Sequence, residues 1–299
     1  PMGFYAPAQL VRDAREHGIE VLAPCVLDSD WPCRLIERGS VPPQIHNAVD
    51  WRPQPAVRMG LNTLHGLKQE TALRLIEVRQ ARLRAGHQPA FESLSDLAHA
   101  VRLQRHELDL LAQADALRAL AGHRAQAAWS AAALAPLPGL LAGHHAQEPA
   151  LILAEPPVAQ EVFADHRAHG VFMKAHPVSL VREPLSAFGV QPATVLRSYP
   201  DGRLARASGL VTHRQRPGTA SGVVFITLED DTGQINVIVW PQLFERYRKE
   251  VLQARLMTVF GVWQADTSTG GQVMHLVARR VLDHTGLLAE LHTRSRDFH

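Results

Sequence analysis

Five stretches of the chain carry the β-branched, aromatic and alternating residues of strands: 204–212, 223–228, 235–240, 256–264 and 273–281. In the second of these, Val223, Phe225 and Thr227 fall on one face, and Val224, Ile226 and Leu228 on the other. Both faces are apolar, so alternation leaves Phe225 open between core and surface. Upstream the period becomes helical. Residues 8–18 place Leu10, Val11 and Ala14 on one face and stop at Gly18. Residues 69–85 gather Ala72, Leu75, Ile76 and Arg79 near one face, with charge spread elsewhere. Ser93 stands as an N-cap before Leu94, and 105–113, 117–120 and 123–133 continue the helical pattern. Residues 1–4 read as extended or turn-like and 19–24 and 57–61 as extended, so the first 133 residues are expected to be mostly α. Residues 136–157, rich in Ala, Leu, Pro and Gly, read as a linker; short helices are expected at 158–172, 177–188, 193–196, 242–251 and 287–291.

Glu229–Asp230–Asp231–Thr232–Gly233 joins the second and third strands, and an acidic turn containing Asp and Gly predicts a hairpin. Five short strands with a helical insert before the fourth predict a small all-β barrel of the OB type. In the α part, the turn from Leu64 to Lys68, followed by the helix from Gln69, resembles a helix-hairpin-helix unit. The expected fold is therefore multidomain: a mainly α, helix-hairpin-helix-containing region followed by an OB-fold barrel.

At 299 residues and 32.9 kDa the chain has room for two or three cored domains. The formal charge of +2 does not by itself favour nucleic acid, so local clusters must carry that case. Cys25 and Cys33 are too few for a disulfide scaffold, and a reduced, cytoplasmic setting is the simpler expectation. No apolar run approaches a membrane span, and the first residues lack the basic start and apolar core of a signal peptide. A start at Pro1 in mid-motif suggests a piece of something longer.

The candidate contacts to DNA are Gly66, Lys68 and Arg74 in the hairpin unit and Arg203, Arg206, Arg214, Arg216 and Phe225 in the barrel. Hairpin amides and an open helix start suit phosphate, and Lys68, Arg74 and Arg79 would add screening charge. A second turn, Ala114–Leu117 with Arg118 and Arg124, has no glycine and reads as structural. Barrels of this kind use one strand face and basic loops, and Phe225 and Trp240 are the rings available for stacking. A protein partner or an architectural role would use the same barrel. No catalytic or metal site is expected. Cys25, Cys33 and His46 lack a paired short zinc spacing and read as structural. The carboxylates of 229–231 read as a solvated hairpin turn with no fixed partner carboxylate for a two-metal centre, and Asp28 and Asp30 likewise lack one.

These residues together resemble the C-terminal part of a bacterial error-prone C-family DNA polymerase, the ImuC type, related to the polymerase III alpha subunit. PMGFYAPAQLVRDAREHGIEV at 1–21 resembles the end of a fingers region, and VRMGLNTLHGLKQETALRLIEVR at 57–79 the helix-hairpin-helix region. FESLSDLAHA at 91–100 and LLAQADALRALAGHRAQAAW at 110–129 continue it. HPVSLVREPL at 176–185, RQRPGTASGVVFITLEDDTGQINVIVWPQLFERYR at 214–248 and the ending TRSRDFH complete the resemblance. Where the family's hairpin has a second glycine, this chain has Lys68.

The resemblance implies five regions: 1–56 as the end of the fingers, 57–135 as the helix-hairpin-helix region, 136–198 as linker and short helices, 199–284 as the OB domain and 285–299 as a tail. It implies lesion bypass by a complete polymerase whose magnesium-binding palm carboxylates lie upstream of Pro1, with no cofactor in this chain. The partners it implies are primer-template DNA, the catalytically inactive Y-family-like accessory protein of the mutagenesis cassette, and through that protein the sliding clamp. No membrane partner is implied; the setting is the bacterial cytoplasm, at the nucleoid during repair.

Overall fold

The computed structural model describes residues 6–37, 55–134, 151–219, 221–265 and 273–293. His46, residues 294–299 and most of the expected linker lie outside the described residues. The chain divides into two compact units, Pro1–Lys174 and Ala175–His299.

In the first unit, α1 (Pro7–Glu16) begins on a proline, whose missing N–H costs nothing at a helix start. Three short strands follow, β1 (Val21–Leu22), β2 (Arg34–Ile36) and β3 (Ala56–Arg58), in the order β1-β3-β2. The extended reading of 19–24 and 57–61 thus becomes two strands, whereas β2 is an addition, too short to show alternation. The rest is helical: α2 (Gln69–Arg84), α3 (Leu94–Val101), α4 (Arg105–Gln113), α5 (Arg118–Ala121), α6 (Arg124–Ala133) and α7 (Val158–His169). The Ser93 hydroxyl accepts the Asp96 N–H at 3.1 Å and caps α3, as its position predicts. Leu61, Leu75, Phe91, Leu97, Leu111 and Leu117 form the fully buried centre of this unit. Residues 151–153 run beside α6, where the Gln126 side chain donates to the Leu151 carbonyl at 3.0 Å and accepts from the Leu153 amide at 2.9 Å.

The second unit starts with three short helices, α8 (Pro177–Leu180), α9 (Arg182–Ser186) and α10 (Ala193–Leu196). The expected single helix over 177–188 is two separate turns. The barrel strands are β4 (Leu204–Gln215), β5 (Val224–Asp230) and β6 (Gly233–Val239); after α11 (Pro241–Arg246) and α12 (Arg248–Gln253) come β7 (Leu256–Ala265) and β8 (Met274–Asp283). Helix α13 (Thr285–Thr293) follows. The barrel closes in the order β4-β5-β6-β8-β7. Strand β4 is long enough to serve two neighbours: residues 204–210 pair with β7, and 210–215 with β5, across a register shift between Val211 and His213. Ile226, Leu228, Ile235, Val237, Val259, Leu276 and Trp263 fill the interior. Burying each such side chain contributes about 1.5–3 kcal/mol.

Candidate nucleic-acid interface

In the first unit, a single 3-10 turn at Leu61–Thr63 leads into the hairpin and then α2. Leu64 and Leu67 are buried and pin the turn, leaving His65, Gly66 and Lys68 exposed between and after them. Gly66 has φ +85, a left-handed conformation that a side chain resists, and faces Leu110. The His65 amide is spent on the Ala168 carbonyl at 2.8 Å. The amides of Gly66 and Lys68 have no partner among the described residues, nor has the Lys68 ammonium. This leaves unpaired donors and one cation at the start of α2, which is the arrangement that receives phosphate. Glu70 in the first helical turn opposes an anion there.

Arg74 is directed elsewhere. Its Nε donates to the Val101 carbonyl at 2.9 Å, and its guanidinium faces Glu107 at 3.3 Å, joining α2 to α3 and α4. Burial works against the Glu107 carboxylate, but the Thr71 hydroxyl, the Gln104 amide and Arg74 together hold it below the usual carboxylate range. Arg79, expected from the sequence to be a screening charge, is 4% exposed; it donates to the Val26 and Ser29 carbonyls and pairs with Asp30 at 2.8 Å. That pairing gives Asp30 a cationic partner. In the second turn Asp115 supplies the left-handed residue, with φ 56, but it is buried and meets Lys174 at 3.1 Å. Arg124 is buried against Glu161 and Asp165. This turn is a packing element.

In the barrel unit, β5 buries Val224, Ile226 and Leu228 and turns Phe225 outward, 40% exposed. Phe225 registers with Gln215 on β4 and Ile238 on β6. Two residues beyond Ile238, just past the end of β6, Trp240 is 54% exposed. The result is an outward strip of Phe225 and Ile238, with Trp240 exposed beyond its end. Arg216, just past the end of β4, holds its guanidinium 4.9 Å from the centre of the Phe244 ring; Arg248 lies over the same ring at 5.4 Å. Arg214 instead folds back onto α12. Its Nε donates to the Val251 carbonyl at 2.7 Å and its Nη2 to the Ala254 carbonyl. It satisfies the open carbonyl end of α12. Burial lowers its pKa from the ordinary guanidinium value.

The barrel residues singled out from sequence do not form one patch. Arg214, Arg216 and Phe225 belong to the β5 end of β4 and the residue beyond it. Arg203 and Arg206 belong to the β7 end, where Arg203 stacks on Tyr199 at 3.8 Å. Ile238 and Arg248 were not anticipated; the Phe225–Ile238 pairing follows from hairpin register, but Arg248 reaches Phe244 only through the turn between α11 and α12.

The acidic turn is also not the solvated connection expected from sequence. Asp230 is 3% exposed and accepts from the Ala193 amide at 2.9 Å, the Thr232 amide at 2.7 Å and Arg182 at 3.0 Å. Among the described residues, no group of three or more His, Cys, Asp or Glu is placed to hold a metal ion. Cys25 and Cys33 are free thiols; burial raises the Cys25 pKa. No described helix is long and apolar enough to cross a membrane.

Comparison with known proteins agrees with these two units. A helix-hairpin-helix motif family matches residues 18–127, and an OB-fold nucleic acid binding domain family matches residues 205–281. The chain is a mainly helical, helix-hairpin-helix-containing region followed by an OB-fold barrel. It is homologous along its whole length to bacterial error-prone DNA polymerases: 45% identical over 303 residues to that of Ralstonia pickettii and 46% over 298 residues to that of Aromatoleum aromaticum. It spans 27% and 26% of the lengths of these two relatives. Among solved structures, the asparaginyl-tRNA synthetase from Pyrococcus horikoshii aligns with 31% of this chain and 27% of its own at 21% identity, with a TM-score of 0.22.

Proposed function

We propose that this chain is the DNA-holding C-terminal part of an error-prone translesion polymerase of the ImuC type and carries no nucleotidyl-transfer centre of its own. The observation that carries this reading is the outward Phe225, paired with Ile238 on an OB barrel, with Trp240 exposed just past β6 and Arg216 exposed just past β4. Exposed rings on a barrel surface receive unstacked bases, and an exposed guanidinium of the same barrel, such as Arg216, receives a phosphate of the same strand. The free amides of Gly66 and Lys68 with the Lys68 ammonium supply a second contact, to duplex backbone. One strand and one duplex contact together suit a primer-template junction.

In this reading the magnesium ions belong to the upstream palm of the complete polymerase. The accessory Y-family-like protein, and through it the sliding clamp, would be recruited by surfaces of this region that do not hold DNA. The test is binding of this chain to primer-template DNA at two salt concentrations, with Phe225→Ala and Lys68→Ala compared. Salt-sensitive binding weakened by both changes supports the reading. Stable binding of the accessory protein, with no DNA binding at low salt, would make the chain a protein-docking module instead.

A further inference from the structure

On the outer side of β4, β7 and β8, three residues lie in one cross-strand row. Arg206 registers with Phe260, and Phe260 with Arg280. The two guanidinium carbons stand 5.5 and 5.6 Å from the centre of the Phe260 ring. Arg206 is held further: its Nη1 donates to the Phe188 carbonyl at 3.1 Å, and the missing side chain of Gly189 makes room for it, since a Cβ there would stand 2.9 Å from that nitrogen. Both arginines are exposed, as is Arg279. None of the three forms an ion pair with a carboxylate among the described residues. The contact to Phe188 explains Arg206 as a tether for the segment before the barrel, but it leaves Arg280 unexplained.

Two guanidinium groups thus lie against one ring, two strand spacings or about 10 Å apart at the backbone, with no carboxylate paired to them among the described residues. A bridging anion would gain charge-assisted hydrogen bonds to both, with Arg206 already held by Phe188. The Phe260 ring is occupied by these cations, so it offers less to a stacking base than Phe225 does. A surface with paired cations and a covered ring suits phosphates whose bases are stacked away inside a duplex.

We propose that the row Arg206–Phe260–Arg280 is a contact surface for the sugar-phosphate backbone of duplex DNA, separate from the ring strip of Phe225 and Trp240. It rests on the nucleic-acid reading above but on different residues, so the two can fail separately. The experiment titrates this chain with a duplex and with a single strand of equal length over a salt series. Arg280→Gln, which removes no hydrogen bond of the fold, should weaken duplex binding about three- to tenfold, reduce the salt slope by about one, and change single-strand binding by less than about twofold. Phe225→Ala should do the reverse. Unchanged duplex affinity and slope in Arg280→Gln overturns the proposal, and a Phe225→Ala effect in the same series would leave the ring strip standing. If neither variant has an effect, both readings fail. Polyglutamate binding lost in Arg280→Gln without loss of duplex binding would assign the row to an acidic protein and also overturn it. Arg206→Lys, which keeps the charge but loses the stacked fork, is a second variant and should lose duplex affinity in the same direction.

Discussion

The Asp230 carboxylate accepts the Ala193 amide at 2.9 Å, so the turn joining β5 to β6 also fixes the start of α10. The same carboxylate receives Arg182 and Thr232 while nearly closed off from water. Replacing it with alanine strands several donors at once. Asp230→Ala should lower unfolding free energy by about 2–4 kcal/mol, measured by urea denaturation. Asp231→Asn, at a more exposed carboxylate, should cost under about 1 kcal/mol. Equal costs would contradict the structural role of Asp230.

Two arginines separated by one residue should behave oppositely. Arg214 closes the carbonyl end of α12, whereas Arg216 stacks on Phe244 and extends toward solvent. Arg214→Ala should lower stability by about 1–2 kcal/mol, and its effect on DNA binding should follow that loss of fold. Arg216→Ala should leave the thermal midpoint nearly unchanged and reduce the salt slope of single-strand binding by about 0.7. Thermal melts read beside anisotropy titrations separate the two.

The difference between these arginines was not legible in the sequence, because both sit in one basic, proline- and glycine-containing stretch. Their roles depend on where α12 ends. The barrel itself was legible: β-branched alternation, an Asp- and Gly-containing turn and a helix before the fourth strand were local signals. What those signals omit is pairing. Only the fold shows that β4 divides its length between β7 and β5, and therefore that Arg206 and Arg216 belong to different surfaces. Asp230 and Arg79 were misread for the same reason, since a charged residue in a turn or on a helix looks solvated until its long-range partners are known.

His169 is 3% exposed, with neither ring nitrogen hydrogen-bonded among the described residues. Burial first, then the nearby Arg124 charge, pushes its pKa down to about 4 from 6.5. The unfolded chain takes up this proton near 6.5, and the folded chain resists it until near 4. Acidification across that window therefore favours unfolding, by up to about 3 kcal/mol. His169→Leu should flatten the fall in stability between these pH values relative to the parent chain. An unchanged pH slope would show that His169 does not titrate in this way.

Gly66 and Lys68 test the hairpin. Gly66→Ala places a side chain at φ +85 and should cost about 1–2 kcal/mol of stability. Lys68→Ala removes an unpartnered cation and should leave the melt unchanged while reducing the duplex salt slope by about 0.9. A destabilised Lys68→Ala would show that this side chain serves the fold.

If Phe225 and Trp240 hold unpaired DNA, a single-stranded overhang must add to the affinity of this chain for a duplex. The decisive comparison is a primer-template carrying such an overhang against the same duplex without it, for the parent and for Phe225→Ala. The overhang should strengthen binding to the parent, and Phe225→Ala should remove about 1–3 kcal/mol of that gain with no change in the thermal midpoint. Equal affinity for the two DNAs, or an overhang gain untouched by Phe225→Ala, would contradict the assignment of these rings to unpaired bases.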